Sequence, residues 1–145
     1  MSTAALWLTG AMLAQGALIF IVTALLYQAR IPLIMRREVR MADIALDKSK
    51  WPDRSRLVAN AFENQFEIPT LFFVAALLAL YVGASPIEAG LAWLFVGSRY
   101  IHAFIHLTGN RVTRRFFAYA TGVVIMALFW LDLVVRLILI AVRGA

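Results

Sequence analysis

Residues 60–81 read NAFENQFEIPTLFFVAALLALY, from Asn60 to Tyr81. From Leu71 onward every side chain is apolar or aromatic, as a bilayer-spanning helix requires. The front end is different. Asn60, Glu63, Asn64 and Glu67 fall at i, i+3, i+4 and i+7, which is one face of a helix, with Arg56 one turn further back. Turned toward lipid, two carboxylates and two amides would be costly; ionisable groups in membrane helices face inward, pair, and often mark function. The stretch therefore reads as a single helix over residues 57–82 whose polar opening turns faces a protein interior.

The rest of the chain supports a membrane setting. Of its 145 residues, 63% are hydrophobic, and the formal net charge is +6. A water-soluble domain of this length could not bury so much apolar surface. Four apolar segments, at residues 4–27, 57–82, 87–107 and 116–142, each approach the roughly 20 residues that a span needs. The first has no basic leader and suits a full span better than a short signal core. The expected fold is all-α, an integral membrane four-helix bundle forming a single domain over residues 1–145. The sequence GASP, Gly83 to Pro86, predicts a tight turn between the second and third helices, and GNRVTRR, Gly109 to Arg115, another before the fourth. Residues 28–56 form the only long connection, bracketed by Pro32 and Pro52, and read as a partly helical stretch outside the bilayer.

Charge orients the bundle. Arg30, Arg36, Arg37, Arg40, Lys48, Lys50, Arg54 and Arg56 lie in the long connection, and Arg111, Arg114 and Arg115 lie in the last turn. Basic loops stay on the cytoplasmic side, so both termini are expected outside the cytoplasm. The plain role of these cations is topology and contact with anionic membrane lipid. Their placement beside spans, with no recognition module, argues against nucleic acid.

The third helix answers the polar face of the second. Arg99, His102 and His106, in RYIHAFIH, fall at i, i+3 and i+7, in its cytoplasmic half. Arg115 and, one turn on, Tyr119 open the fourth helix at the same depth. Guanidinium groups clamp carboxylates in bidentate fashion, Glu67 could receive an ammonium, and Asn64 could bond an amide in either sense. That set suits a small zwitterionic peptide with carboxylate ends. Two nearby arginines repel a cation, so no metal is expected. The chain has no cysteine, hence no disulfide and no thiolate of its own; any sulfur chemistry needs a ligand's thiol. Asp132 and Arg136, at i and i+4 in the outer half of the fourth helix, read as neutralising one another, or as an arginine reaching the outer interface. Trp93, Trp130, Phe129 and the Phe72-Phe73 pair read as lipid-facing or packing residues.

Two motifs resemble the family of membrane-associated proteins in eicosanoid and glutathione metabolism, known as MAPEG. NQFEIP, Asn64 to Pro69, is similar to the family's Asn-x-x-Glu followed by Pro. RYIHAFIHLTGNRVTRRFFAY, Arg99 to Tyr119, is similar to its Arg-x-x-His/Tyr-x-x-x-Tyr motif, basic turn, and Arg and Tyr opening the fourth helix. The resemblance implies a trimer holding glutathione, as co-substrate, between adjacent subunits near the cytoplasmic side. It implies that Asn64, Glu67, Arg99, His102 and His106 bind the peptide. It also implies that Arg115, close to the sulfur, and Tyr119 carry catalysis on a lipophilic substrate arriving from the bilayer. The chain departs from the pattern at Asn60, where an arginine is usual, at His106, where a tyrosine is usual, and at Phe116, a serine in some members.

The functional expectation is a membrane-bound glutathione-dependent transferase or peroxidase acting on apolar electrophiles or lipid hydroperoxides. The alternative is a non-catalytic lipid-binding or scaffold protein of the same fold, of which the family has an example. An ion pathway through the Glu/His/Arg cluster ranks last, because the outer halves of the second and third helices offer almost no polar residues to continue it.

Overall fold

The computed structural model describes residues 1–144. Its elements are α1 (Thr3–Met35), α2 (Met41–Ile44), a 3-10 turn (Lys48–Lys50), α3 (Asp53–Glu63), α4 (Ile68–Val82), α5 (Pro86–Thr108) and α6 (Val112–Gly144), with no strand among the described residues. Three stretches are long and apolar enough to cross a membrane: Thr3–Met35, Asp53–Val82 and Val112–Arg143. Between the last two runs α5, a continuous helix whose apolar sequence is broken by the buried polar residues Glu88, Arg99, His102 and His106.

Side-chain contacts fix the directions of the long helices. Trp93 Nε1 donates to the Trp7 carbonyl (3.0 Å), and the Tyr100 hydroxyl donates to that of Ala14 (2.9 Å), so α1 and α5 run parallel. Gln15 pairs with Gln65, and Ser55 with the Ala29 carbonyl, so α1 and the α3–α4 stretch run antiparallel. His102 lies against Tyr119 near the start of α6, and Glu88 against Arg136 near its end. Arg54 at the start of α3 donates to the Leu107 carbonyl at the end of α5, 2.7 Å away. The long basic connection and the α5–α6 turn thus lie at one end of the molecule, and the α4–α5 turn lies at the other.

Small residues bring the helices together. Ala75, Ala76 and Ala79 of α4 and Ala89 and Ala92 of α5 are buried with Phe72, Phe95, Phe129 and Leu133. Lipid is as apolar as a leucine side chain, so close backbone approach and dispersion, not water exclusion, hold such faces together. The rings of Phe72 and Phe95 stack at 5.0 Å, which makes those phenylalanines and Phe129 packing residues. Leu13, Phe20, Leu77, Leu94, Phe104, Leu131 and Ile138 instead point outward. An apolar exterior over so much of the surface is what a bilayer solvates.

The structure corrects the sequence reading in three places. Residues 57–82 are not one helix: α3 stops at Glu63 and α4 starts at Ile68. Pro69 explains the interruption, since it has no N–H to donate and its ring clashes with the carbonyl four residues earlier, that of Gln65. It sits within the first two positions of α4, where those defects cost nothing. The first helix also extends well past Tyr27, through Pro32 to Met35. Asp132 and Arg136 do not neutralise one another. Arg136 instead reaches across to α5, pairing with the fully buried Glu88 at 2.5 Å and donating to the Gly83 carbonyl at 2.7 Å. Asp132 Oδ2 has no hydrogen-bond partner among the described residues.

Glu88 was not singled out from sequence, although Ser85-Pro86-Ile87-Glu88 has the Ser-x-x-Glu spacing of a capping box. Both reciprocal bonds are present, Ser85 N–H to Glu88 Oε2 (2.7 Å) and Glu88 N–H to Ser85 Oγ (3.2 Å). One carboxylate therefore caps α5, binds α6 and holds the turn. That turn passes through Gly83 at φ +96°, a conformation only glycine adopts without strain.

Candidate functional site

Asn64, His102, Arg115, Phe116 and Tyr119 line one cavity of about 190 Å³ at the basic end of the bundle. They come from three places in the chain: the α3–α4 interruption, α5, and the first turns of α6. His102, Arg115, Tyr119 and Asn64 are four of the seven site residues expected from sequence. The rings of His102 and Tyr119 stand 5.9 Å apart, and the Arg115 guanidinium donates to Asn110 Oδ1 at 2.6 Å. Asn110 itself takes a left-handed conformation (φ 41°) in the turn, a geometry asparagine tolerates better than most residues. This tight turn sets Arg115 beside the pocket.

Arg99 and His106 lie behind that wall. Both are fully buried, and the Arg99 guanidinium carbon is 5.8 Å from the Tyr119 ring centroid. Arg99 Nη2 donates to the Asn64 carbonyl at 3.1 Å. That bond explains the interrupted helix from the other side. Where α3 ends, carbonyls lose their helical partners, and a charged donor from α5 takes one of them. The ring of His106 stands 5.7 Å from that of His102. Neither nitrogen of His106, nor Nδ1 of His102, nor Nε of Arg99, has a hydrogen-bond partner among the described residues. Buried polar atoms are seldom left so, and four in one cluster point to a site that accepts a polar guest.

The polar stripe read from the second helix divides. Asn60 and Glu63 turn to a different cavity, where Lys48 Nζ binds Glu63 Oε1 at 2.6 Å. The Asn64 side chain bonds back to the Asn60 carbonyl. Glu67 is exposed and lies outside the walls of the 190 Å³ cavity. Arg56 pairs with the exposed Asp53 and lines the cavity of Asn60 and Glu63, not that of Arg115. Once the helix is interrupted after Glu63, the i, i+3, i+4, i+7 relation no longer defines one face. That is why four residues in register on paper end in three surroundings.

One buried element was not visible from sequence. Gln15 of α1 is fully buried and donates to Gln65 Oε1 at 3.3 Å, while Gln65 donates to the Ala61 carbonyl at 3.2 Å. Gln65 stands inside NQFEIP, between two residues that the motif does name. Its pairing ties α1 to the interrupted segment.

The cavity presents a guanidinium, an imidazole, a phenol and an amide, with a second guanidinium behind them. Such a set attracts and orients an anion: donors predominate, and no carboxylate lines the wall. Among the described residues no three His, Asp or Glu side chains gather as a metal site would need.

The MAPEG family model matches residues 8–135 of the sequence, nearly the whole chain. The chain belongs to the MAPEG family. No curated protein and no solved structure matches it. The matched span takes in all of α3, α4 and α5, most of α1 and α6, and every residue of the cavity. This MAPEG chain is thus an integral membrane protein, with helices apolar enough to cross the bilayer and a polar site at their basic end.

Proposed function

We propose that this MAPEG protein is a glutathione-dependent transferase or peroxidase that acts on apolar electrophiles or lipid hydroperoxides. All four long helical stretches, α5 included, cross the membrane in this reading, with both basic loops cytoplasmic and both termini outside. The observation that carries it is that Asn64, His102, Arg115 and Tyr119 line one polar cavity. Its donors suit a peptide bearing carboxylates and a thiol. A volume of about 190 Å³ is below the roughly 300–1,000 Å³ of a complete small-molecule pocket. One chain therefore offers part of a cradle, and a second copy in a trimer would supply the rest.

Glutathione brings the thiol that the cysteine-free chain lacks. A free thiol ionises near pH 8.5, and an adjacent cation favours its thiolate. Arg115 is the cation at the cavity wall, and the Tyr119 hydroxyl is the hydrogen-bond donor beside it. His102 and Asn64 orient the peptide backbone. Arg99 holds the Asn64 carbonyl and so keeps that wall in place; orientation alone can lower a barrier by several kcal/mol. Glu67, exposed outside the cavity wall, would meet the peptide's ammonium in this reading. His106 lies deeper and acts through His102. The lipophilic partner reaches the site from the bilayer along the apolar flank of Phe116, which is exposed beside the cavity.

Thiol conjugation and hydroperoxide reduction by the purified protein test this reading. Arg115→Ala should lower the rate at least tenfold while leaving the helical content intact. Equal rates in both proteins would remove Arg115 from the chemistry. Saturable lipid binding without turnover, across a panel of electrophiles and peroxides, would favour a non-catalytic lipid-binding protein of the same fold.

A further inference from the structure

A second composite site lies on the other side of α3, between α1 and the long connection. Two cavities meet there at Arg30. One, of about 310 Å³, is walled mainly by apolar side chains, among them Leu26, Ile31, Ile34, Ile44 and Phe62. The other, of about 250 Å³, holds Lys48, Arg56, Ser49, Asn60 and Glu63. Arg30 and Trp51 mark the junction: the guanidinium carbon stands 4.6 Å from the centroid of the Trp51 ring, and Trp51 itself is buried. This cation–π contact fixes the guanidinium plane, yet Arg30 Nε is buried without a hydrogen-bond partner among the described residues. The other two cations of the polar chamber have carboxylate partners, Lys48 with Glu63 and Arg56 with Asp53. Three cations face one carboxylate within that chamber, so its charge is positive.

We propose that this junction binds an acidic phospholipid of the cytoplasmic leaflet, its phosphate at Arg30 and one acyl chain in the apolar chamber. Charge complementarity selects the headgroup. An arginine held by a ring, with no carboxylate partner among the described residues, presents the planar fork that matches a phosphate. The apolar chamber selects a tail, which a free phosphate lacks. Basic residues beside a span meet acidic lipid in that leaflet, and the neighbouring exposed Arg36, Arg37 and Arg40 raise its local concentration. The bound lipid would act as mortar between α1, the connection and α3, where Trp51 and Ser55 already pack on the end of α1. This site shares no wall residue with the cavity of Arg115 and Tyr119 and stands whether or not that cavity binds glutathione.

Native mass spectrometry of the full chain in detergent tests it, titrating phosphatidylglycerol, phosphatidylcholine, a fatty acid and inorganic phosphate separately. Wild type should retain one phosphatidylglycerol per chain at least tenfold more tightly than phosphatidylcholine. Arg30→Gln should lose that preference and the exposed control Arg36→Gln should keep it. Should Arg30→Gln fail to fold, Ile34→Trp fills the apolar chamber with every cation left in place, and retention should fall likewise. Equal retention of the two phospholipids would overturn the proposal, as would equal losses in Arg30→Gln and Arg36→Gln. Displacement by inorganic phosphate alone would reduce the site to a free anion site. Displacement by the fatty acid at equal concentration would make a carboxylate, not a phosphate, its ligand.

Discussion

Gly122 shows how narrow the margins are where α5 and α6 meet. A Cβ built there would stand 2.8 Å from Ser98 Oγ, closer than side chains pack, whereas at Gly97, the residue before Ser98 on α5, it would meet nothing within 4 Å. Gly122 lies less than one turn after Tyr119, so this contact sets the distance between the Arg115–Tyr119 wall and the Arg99–His102 wall. Gly122→Val should lower stability by about 1–3 kcal/mol through overpacking. Gly97→Val should change it little, and Ser98→Gly in the Gly122→Val background should recover much of the loss; thermal unfolding in detergent reads all three. Arg99 sits at the same contact with a different role. Its charged hydrogen bond to the Asn64 carbonyl is of a kind worth about 1.5–3 kcal/mol, so Arg99→Met should destabilise the protein by that order as well as weaken ligand binding. Substitution with no effect on unfolding would show that the Asn64 carbonyl does not depend on this donor.

At the scale of elements, the interruption between α3 and α4 organises the site. Pro69 ends one hydrogen-bond ladder, Arg99 caps the loose carbonyl, and Gln15 ties Gln65 to α1. Pro69→Ala removes the ring clash with the Gln65 carbonyl and should let the helix continue through residues 64–67. Hydrogen exchange at Gln65 to Glu67 should then slow, and the cavity should lose its Asn64 wall; unchanged exchange would mean that tertiary contacts, not proline, impose the interruption. The long apolar stretches, their order and the positions of both short turns were legible in the sequence because hydropathy and Gly/Pro punctuation are local signals, although α6 begins at Val112, inside the expected second turn. So were Arg99, His102, Arg115 and Tyr119, whose spacings lie within helices that form as expected. The stripe on the second helix was misread because helical periodicity assumes a continuous helix, and Pro69 was taken as part of a motif, not as a breaker. Glu88 and Arg136 escaped for another reason. Their partnership joins positions far apart in the chain, and the nearer candidate, Asp132 at i−4, masked it. Arg136→Leu leaves the Glu88 carboxylate buried without its cation and should cost about 3–5 kcal/mol, while Glu88→Gln with Arg136→Leu should cost less than Arg136→Leu alone.

The whole molecule is a set of long helices whose charge gathers at one end and whose exterior is apolar elsewhere. By the positive-inside rule that polarity predicts an orientation, with the basic connection and the α5–α6 turn on the cytoplasmic side. The absence of cysteine makes the test clean: in sealed vesicles of known sidedness, Ser49→Cys should react with an impermeant maleimide only from the cytoplasmic face, and Ala84→Cys only from the opposite one. Reaction of both from one side would contradict an antiparallel α4–α5 hairpin that crosses the bilayer. The central claim is that side chains from the α3–α4 interruption, α5 and α6 converge to hold a water-soluble thiol peptide at that basic end. Calorimetric titration of the purified, detergent-solubilised protein with glutathione addresses it most directly, with Arg115→Ala alongside. Saturable binding in wild type, weakened at least tenfold in Arg115→Ala, is the expected result; no binding in wild type, or identical binding in both, would contradict it.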